Sequence, residues 1–213
     1  MTASDTGKTE GRVARRRRRN HRALIDAARW IMSQKGIDAA TMLEIAERAD
    51  VGAGTVYNYF KSKEDLAIAV LEELMHELAL KIEKVTDTFS DPAQVYAFGI
   101  RTVIDTATGD LRWRQLLYRS EVIANAMFHQ MGPFAIRDLE RATLAGRFKV
   151  DDATLTWKMA THAIVGVALA VTNDELPDSV VDETVVRLLC MTGIGREEAV
   201  DLARRERPAL PSA

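Results

Sequence analysis

The residues able to do chemistry are few in this chain. Four histidines, His21, His76, His129 and His162, lie far apart with no metal-ligand spacing. Cys190 stands alone, so no intrachain disulfide forms and nothing points to an oxidising compartment. There is no G-x-S-x-G turn, no phosphate-cradling glycine loop and no cysteine–histidine arrangement. The sequence thus favours binding over catalysis, and no cofactor is called for. The binding signal is electrostatic. Over 213 residues the formal net charge is only -2, but residues 1–63 carry +6 and the remainder -8. A basic head on an acidic body suits a polyanion at the head and solubility for the body.

Within the head, two stretches concentrate this chemistry. Arg15–Arg19 is a run of five arginines, placed to reach an adjacent minor groove as basic arms do. The other is Gly54–Phe60. At roughly 100° per residue, Val56 and Phe60 fall on one side of a helix. Gly54, Thr55 and Asn58 fall on the other, with Tyr57 and Tyr59 at the flanks. One face anchors; the opposite face is small, polar and free of acidic groups. A core helix has no use for such a face, whereas a helix entering a major groove requires it.

The elements that must carry these residues follow from periodicity. Residues 1–18 read as a disordered basic arm. A helix begins at Asn20, with Leu24, Ala27, Ala28 and Ile31 on one face, and Gly36 stops it. Thr41 and Glu44 form a capping box ahead of Ile45 and Ala46. Asp50-Val51-Gly52 makes a turn, a short helix runs from Ala53 to Tyr59, and Ser62 caps a long fourth helix. Three helices and a long fourth, with about three residues between the second and third, form a helix-turn-helix. Asp91-Pro92 starts a further helix. Gly109, Gly132-Pro133 and Gly146 punctuate the middle, and an amphipathic helix closes the chain near Glu206. No strand alternation and no internal repeat is found; the fold class is all-α.

The stretch T-M-L-E-I-A-E-R-A-D-V-G-A-G-T-V-Y-N-Y-F-K-S-K-E-D-L, Thr41 to Leu66, resembles the signature of TetR-type transcriptional regulators. Ile45-Ala46, the turn Val51, Gly54-Thr55, Tyr57, Tyr59-Phe60, Ser62-Lys63 and Leu66 match in order. Two positions depart: Asp50 stands where glycine is frequent, and Gly52 where serine or threonine is frequent. Asp tolerates the left-handed conformation better than most residues, and Gly is an acceptable N-cap. The resemblance implies that Thr41, Tyr57, Tyr59 and Lys63 contact DNA phosphates. It also implies that Ala53, Gly54, Thr55 and Asn58 approach base edges. Arg18 and Arg19 join them from the basic arm.

The resemblance further implies residues 19–66 as the DNA-binding domain and 67–213 as a helical effector-binding and dimerisation domain. The helix at 152–171 is apolar nearly all round. Its uncharged stretch, Met159–Asn173, is too short to span a membrane. With helix 179–192 it is expected to form a four-helix bundle with a second copy. Between head and bundle, Tyr96, Phe98, Trp113, Leu117, Tyr118, Met127, Phe128, Met131 and Phe134, with Trp157 of the bundle helix, are candidates to line an apolar ligand cavity, with His129 and His162 as polar anchors. The resulting expectation is a cytoplasmic homodimer. It binds a pseudo-palindromic operator as a repressor and is released by a small apolar effector. The competing reading is a helical small-molecule-binding protein or enzyme with a vestigial DNA-binding head.

Overall fold

The computed structural model describes residues 11–109 and 120–211. Among them every regular element is helical. The chain divides into two compact units, with the boundary between Val70 and Leu71.

The first unit begins with α1, Arg12–Ala39. It starts eight residues earlier than the periodicity predicts, so Arg15–Arg19 are helical rather than an irregular arm. The reason is local: Arg is a good helix former, and no breaker separates Gly11 from Asn20. Gly36, at φ 82, interrupts α1 where expected. α2 spans Met42–Arg48 and α3 Ala53–Val56. α3 is shorter than the predicted Ala53–Tyr59. After Val56 the chain tightens to i→i+3 bonding: Asn58 and Tyr59 donate to the carbonyls of Thr55 and Val56. The core joins Leu24, Ala28, Ile45, Val56 and Leu66, each almost wholly inaccessible to solvent. α4, Lys63–Thr86, starts with Asp65 N–H bonded to Ser62 Oγ at 3.0 Å, the predicted cap.

α4 continues into the second unit, where α5, Pro92–Gly109, is the central helix. It packs against α6 (Ser120–Leu144), α7 (Ala153–Thr172), α8 (Val180–Cys190) and α9 (Arg196–Arg204). That centrality explains why residues all round it, from Tyr96 and Phe98 to Ile104, are buried. Asp91 caps α5 through the Ala93 N–H at 3.0 Å, and Asp152 caps α7 through the Leu155 N–H at 2.8 Å. Gly132-Pro133 does not end a helix as predicted; α6 runs through it. Packing of α6 against α5 and α7 supports the turn that Pro133 weakens. α7 is long and apolar enough to cross a membrane by length and composition. One of its faces, including Trp157, Ile164 and Ala168, is nonetheless buried in this unit.

Candidate nucleic-acid interface and ligand cavity

In the first unit the predicted division of α3 holds. Val56 and Phe60 are buried, while Ala53, Gly54, Tyr57 and Asn58 are exposed and Thr55 and Tyr59 partly so. Asp50, at φ 53, makes the left-handed turn that precedes Gly52, whose carbonyl accepts from Thr55 N–H at 2.7 Å. A Cβ added to Gly54 would meet nothing within 4 Å. The absence of a side chain there has no internal steric cause.

Thr41 is fixed by a complete capping box. Its Oγ1 accepts from Glu44 N–H at 3.3 Å, and Glu44 Oε2 accepts from Thr41 N–H at 3.0 Å. Lys35 Nζ donates to the other Glu44 oxygen at 2.5 Å. The hydrogen bonds from Lys35 and Thr41 hold the Glu44 carboxyl at about 2, well below its ordinary value. Lys63 Nζ donates to the Asp38 carbonyl at 2.7 Å, which pins it beside the α1–α2 turn.

Arg17, Arg18, Arg19, His21 and Arg22 line one surface cleft with Asn58 and Tyr59. His21 also packs against Phe60, ring centres 5.1 Å apart. The structure thus brings the basic segment and the end of α3 to one surface. The pairing through His21 was not apparent in the sequence, which treats arm and helix separately.

The second unit holds a small, partly open cleft. Ala79, Ile82 and Glu83 of α4, Tyr96, Gly99 and Val103 of α5, Met131, Phe134, Arg137 and Asp138 of α6, and Trp157 of α7 line it. Of the predicted lining, Tyr96, Met131, Phe134 and Trp157 are present. Phe98, Met127, Phe128, His129 and His162 fall elsewhere for reasons of helical phase. Met127, one turn before Met131, is fully buried core. Phe128 turns aside under Lys158, whose Nζ lies 4.7 Å from its ring centre. Phe98, two residues beyond Tyr96, packs edge-on against Phe89. His162 is exposed, five residues and therefore well over a quarter turn from the inward Trp157, and its Nδ1 lies 2.9 Å from the Lys158 carbonyl oxygen. Trp113, Leu117 and Tyr118 lie outside the described residues.

The polar end of the cleft is a charge cluster that aromatic spacing did not reveal. Arg137 donates to Glu83 and, through Nη2 at 2.9 Å, to Asp138. Burial opposes the charge on Arg137, but these bonds outweigh it and raise its pKa. Burial pushes the Asp138 carboxyl up despite Arg137 beside it. Burial, with the Asp138 charge, also pushes the Tyr96 hydroxyl up strongly. Trp157 Nε1 is buried without a hydrogen-bond partner. The cleft therefore offers apolar walls and, at one end, a cation held between two carboxylates. That suits a neutral molecule carrying hydroxyls better than an anion. The Arg137-Asp138 pair three and four residues after Phe134 was the available sequence signal. Among the described residues no group of three His, Cys, Asp or Glu side chains is placed to hold a metal.

Two family models match: bacterial regulatory proteins of the tetR family over residues 24–70, and the tetracyclin repressor-like C-terminal domain over residues 91–205. The chain belongs to the TetR family. Among curated TetR-family relatives, the repressor KstR of Mycolicibacterium smegmatis is 36% identical over 84 residues, 39% of this chain and 40% of KstR. The fatty acid metabolism regulator protein of Bacillus subtilis is 33% identical over 70 residues, 33% of this chain and 36% of that protein. These matches span well under half the relatives' length. The crystal structure of RolR with resorcinol aligns with a TM-score of 0.84 and 27% identity, covering 93% of this chain and 100% of that one. Thermus thermophilus FadR with lauroyl-CoA shares the TetR fold at a TM-score of 0.67 and 20% identity, covering 90% and 100%.

Proposed function

We propose that the protein is a transcriptional repressor that binds a pseudo-palindromic operator as a homodimer and leaves it when a small hydroxylated aromatic molecule enters the cleft of the second unit. The observation that carries this is the exposed Ala53-Gly54-Thr55-Asn58 face mounted on buried Val56 and Phe60. It is a surface with no internal purpose, shaped for a groove. Thr41, Tyr57, Tyr59 and Lys63 flank it and serve as phosphate contacts, with Arg18 and Arg19 beyond. The role is binding rather than catalysis, and it is exercised in the cytoplasm, where the chromosome lies.

Dimerisation is supported by α7. Leu155 and Met159 are 56% and 52% exposed, and exposed His162 and Gly166 continue the same stripe. A Cβ on Gly166 would meet nothing within 4 Å, so a second copy has room to approach. The effector class is supported by the Glu83–Arg137–Asp138 cluster that shares the cleft with Met131, Phe134 and Trp157, and by the likeness to RolR, whose structure holds resorcinol. A ligand with a phosphate-rich carrier would meet two carboxylates here.

Transmission requires only that the ligand prefer the arrangement unable to bind DNA. α4 is suited to it, since one continuous helix carries Lys63 at its start and Ile82 and Glu83 of the cleft near its end. Selection of bound duplexes from random DNA, followed by titration with resorcinol and related phenols, tests the reading. A two-fold consensus and phenol-dependent release support it. No sequence preference, or phenols that bind without altering operator affinity, overturns it.

A further inference from the structure

We propose that the indole N–H of Trp157 is a specificity contact of the cleft, and that the effector must bring an oxygen acceptor to it. This deepens the effector reading above and rests on it. Trp157 sits in the second turn of α7, whose start is fixed by the Asp152 cap on the Leu155 N–H. Its side chain forms part of the cleft wall and is almost wholly buried. Nε1 is itself buried, and among the described residues no atom accepts its hydrogen. An indole nitrogen donates and cannot accept. A buried tryptophan N–H ordinarily finds an acceptor, because an orphaned donor forfeits the hydration it had in water.

Gly132 locates that nitrogen. It lies inside α6, where glycine weakens a helix. A Cβ built there would stand 3.3 Å from Trp157 Nε1 and 3.4 Å from Cδ1, closer than most side chains pack. Glycine at 132 thus keeps the nitrogen-bearing edge of the indole uncrowded. The same stretch of α6 carries Met131, Phe134 and Ala135 into the cleft, so this edge lies against the apolar wall of the cleft. Met131 is unbranched and is the neighbour best able to yield to an entering ring.

The polar end of the cleft is complementary in kind. Glu83 and Asp138 present carboxylate oxygens there, around Arg137. A ligand hydroxyl donates to those oxygens, and a second ligand oxygen accepts from Trp157. The class that follows is an aromatic ring with two oxygens, one able to donate and one needing only to accept: a dihydroxybenzene or a hydroxyaryl ether. A ring with a single hydroxyl leaves the Trp157 donor orphaned. Sites built around a buried polar group reject the analogue that lacks its partner.

The isosteric pair meta-methoxyphenol and meta-ethylphenol tests this on the full chain, since the two differ only by an ether oxygen in place of a methylene. Wild type should bind the methoxy compound about tenfold tighter, the scale of one neutral hydrogen bond to a buried donor. Trp157→Phe should erase that ratio. Packing lost with the smaller ring weakens both ligands and cancels in the ratio. A second readout needs no variant at position 157. With isotope-labelled indole nitrogens, the Trp157 N–H proton, assigned by elimination through Trp30→Phe and Trp113→Phe, should move downfield with meta-methoxyphenol and not with meta-ethylphenol. Equal binding of the pair by wild type, a ratio that survives in Trp157→Phe, or an N–H signal that responds alike to both overturns this inference alone, because resorcinol-dependent release from the operator judges the effector reading separately. Failure of resorcinol and of both test phenols to bind overturns the two together.

Discussion

Lys63 Nζ reaches back 25 residues to the carbonyl oxygen of Asp38, at 2.7 Å. The first residue of α4 is thereby tied to the end of α1, and the α2–α3 pair lies in sequence between the two anchor points. The ammonium retains donors beyond the one used. It can hold the turn and meet a phosphate with the same charge.

Lys63→Ala should therefore weaken binding to every duplex alike and lower the salt slope by about 1. Lys63→Arg should restore the charge but only part of the affinity, because the planar guanidinium fits the Asp38 carbonyl differently. Fluorescence anisotropy across a salt series reads both. A sequence-selective loss would place Lys63 at a base rather than a phosphate.

Gly54→Ala is expected to separate stability from function. The added methyl meets open space and favours the helix by about 0.5–1 kcal/mol. If Gly54 faces a base edge as proposed, operator affinity should fall about tenfold, the scale of one lost base contact. Denaturant unfolding and operator titration, run on the same variant, measure the two effects.

The Glu44 carboxyl, held at about 2 by Lys35 and Thr41, makes a pH prediction. Its folded pKa lies below the ordinary 4.5, so its ionised form contributes stability that is complete above that value. The contribution is lost as pH falls from there toward 2. Wild type should exceed Glu44→Gln in thermal midpoint at neutral pH, with the gap closing through the acid range. A gap independent of pH would assign the effect to capping alone.

Arg137→Leu should weaken the effector response and spare DNA binding. The guanidinium organises Glu83 and Asp138 at the polar end of the cleft. Loss of one hydrogen bond to a charged group corresponds to about 1.5–3 kcal/mol, or roughly tenfold or more in effector affinity. Trp157 lines the same cleft, so its emission reports occupancy. A phenol titration that is unchanged in the variant would place the site elsewhere.

The first unit was largely legible in the sequence because its determinants are local. The Thr41–Glu44 capping box, the Asp50 turn and the alternation of Val56 and Phe60 with Gly54, Thr55 and Asn58 act within a few residues of one another. Short-range hydrogen bonds and helical phase suffice to specify them. The all-α class and the helix starts at Asp91 and Asp152 were legible for the same reason. The cleft was not. Aromatic and methionine composition marks apolar helices without saying which side of each faces a cavity and which faces plain core. Only packing decided that Met131 lines the cleft while Met127 fills the core, and that Tyr96 lines it while Phe98 packs on Phe89. Only packing brought Glu83 of α4 to Arg137 of α6, across 54 residues of chain. Hydrophobic burial carries no partner label, so apolar positions are readable one helix at a time. Which of them share a wall is a property of several helices meeting, and it exists only in three dimensions.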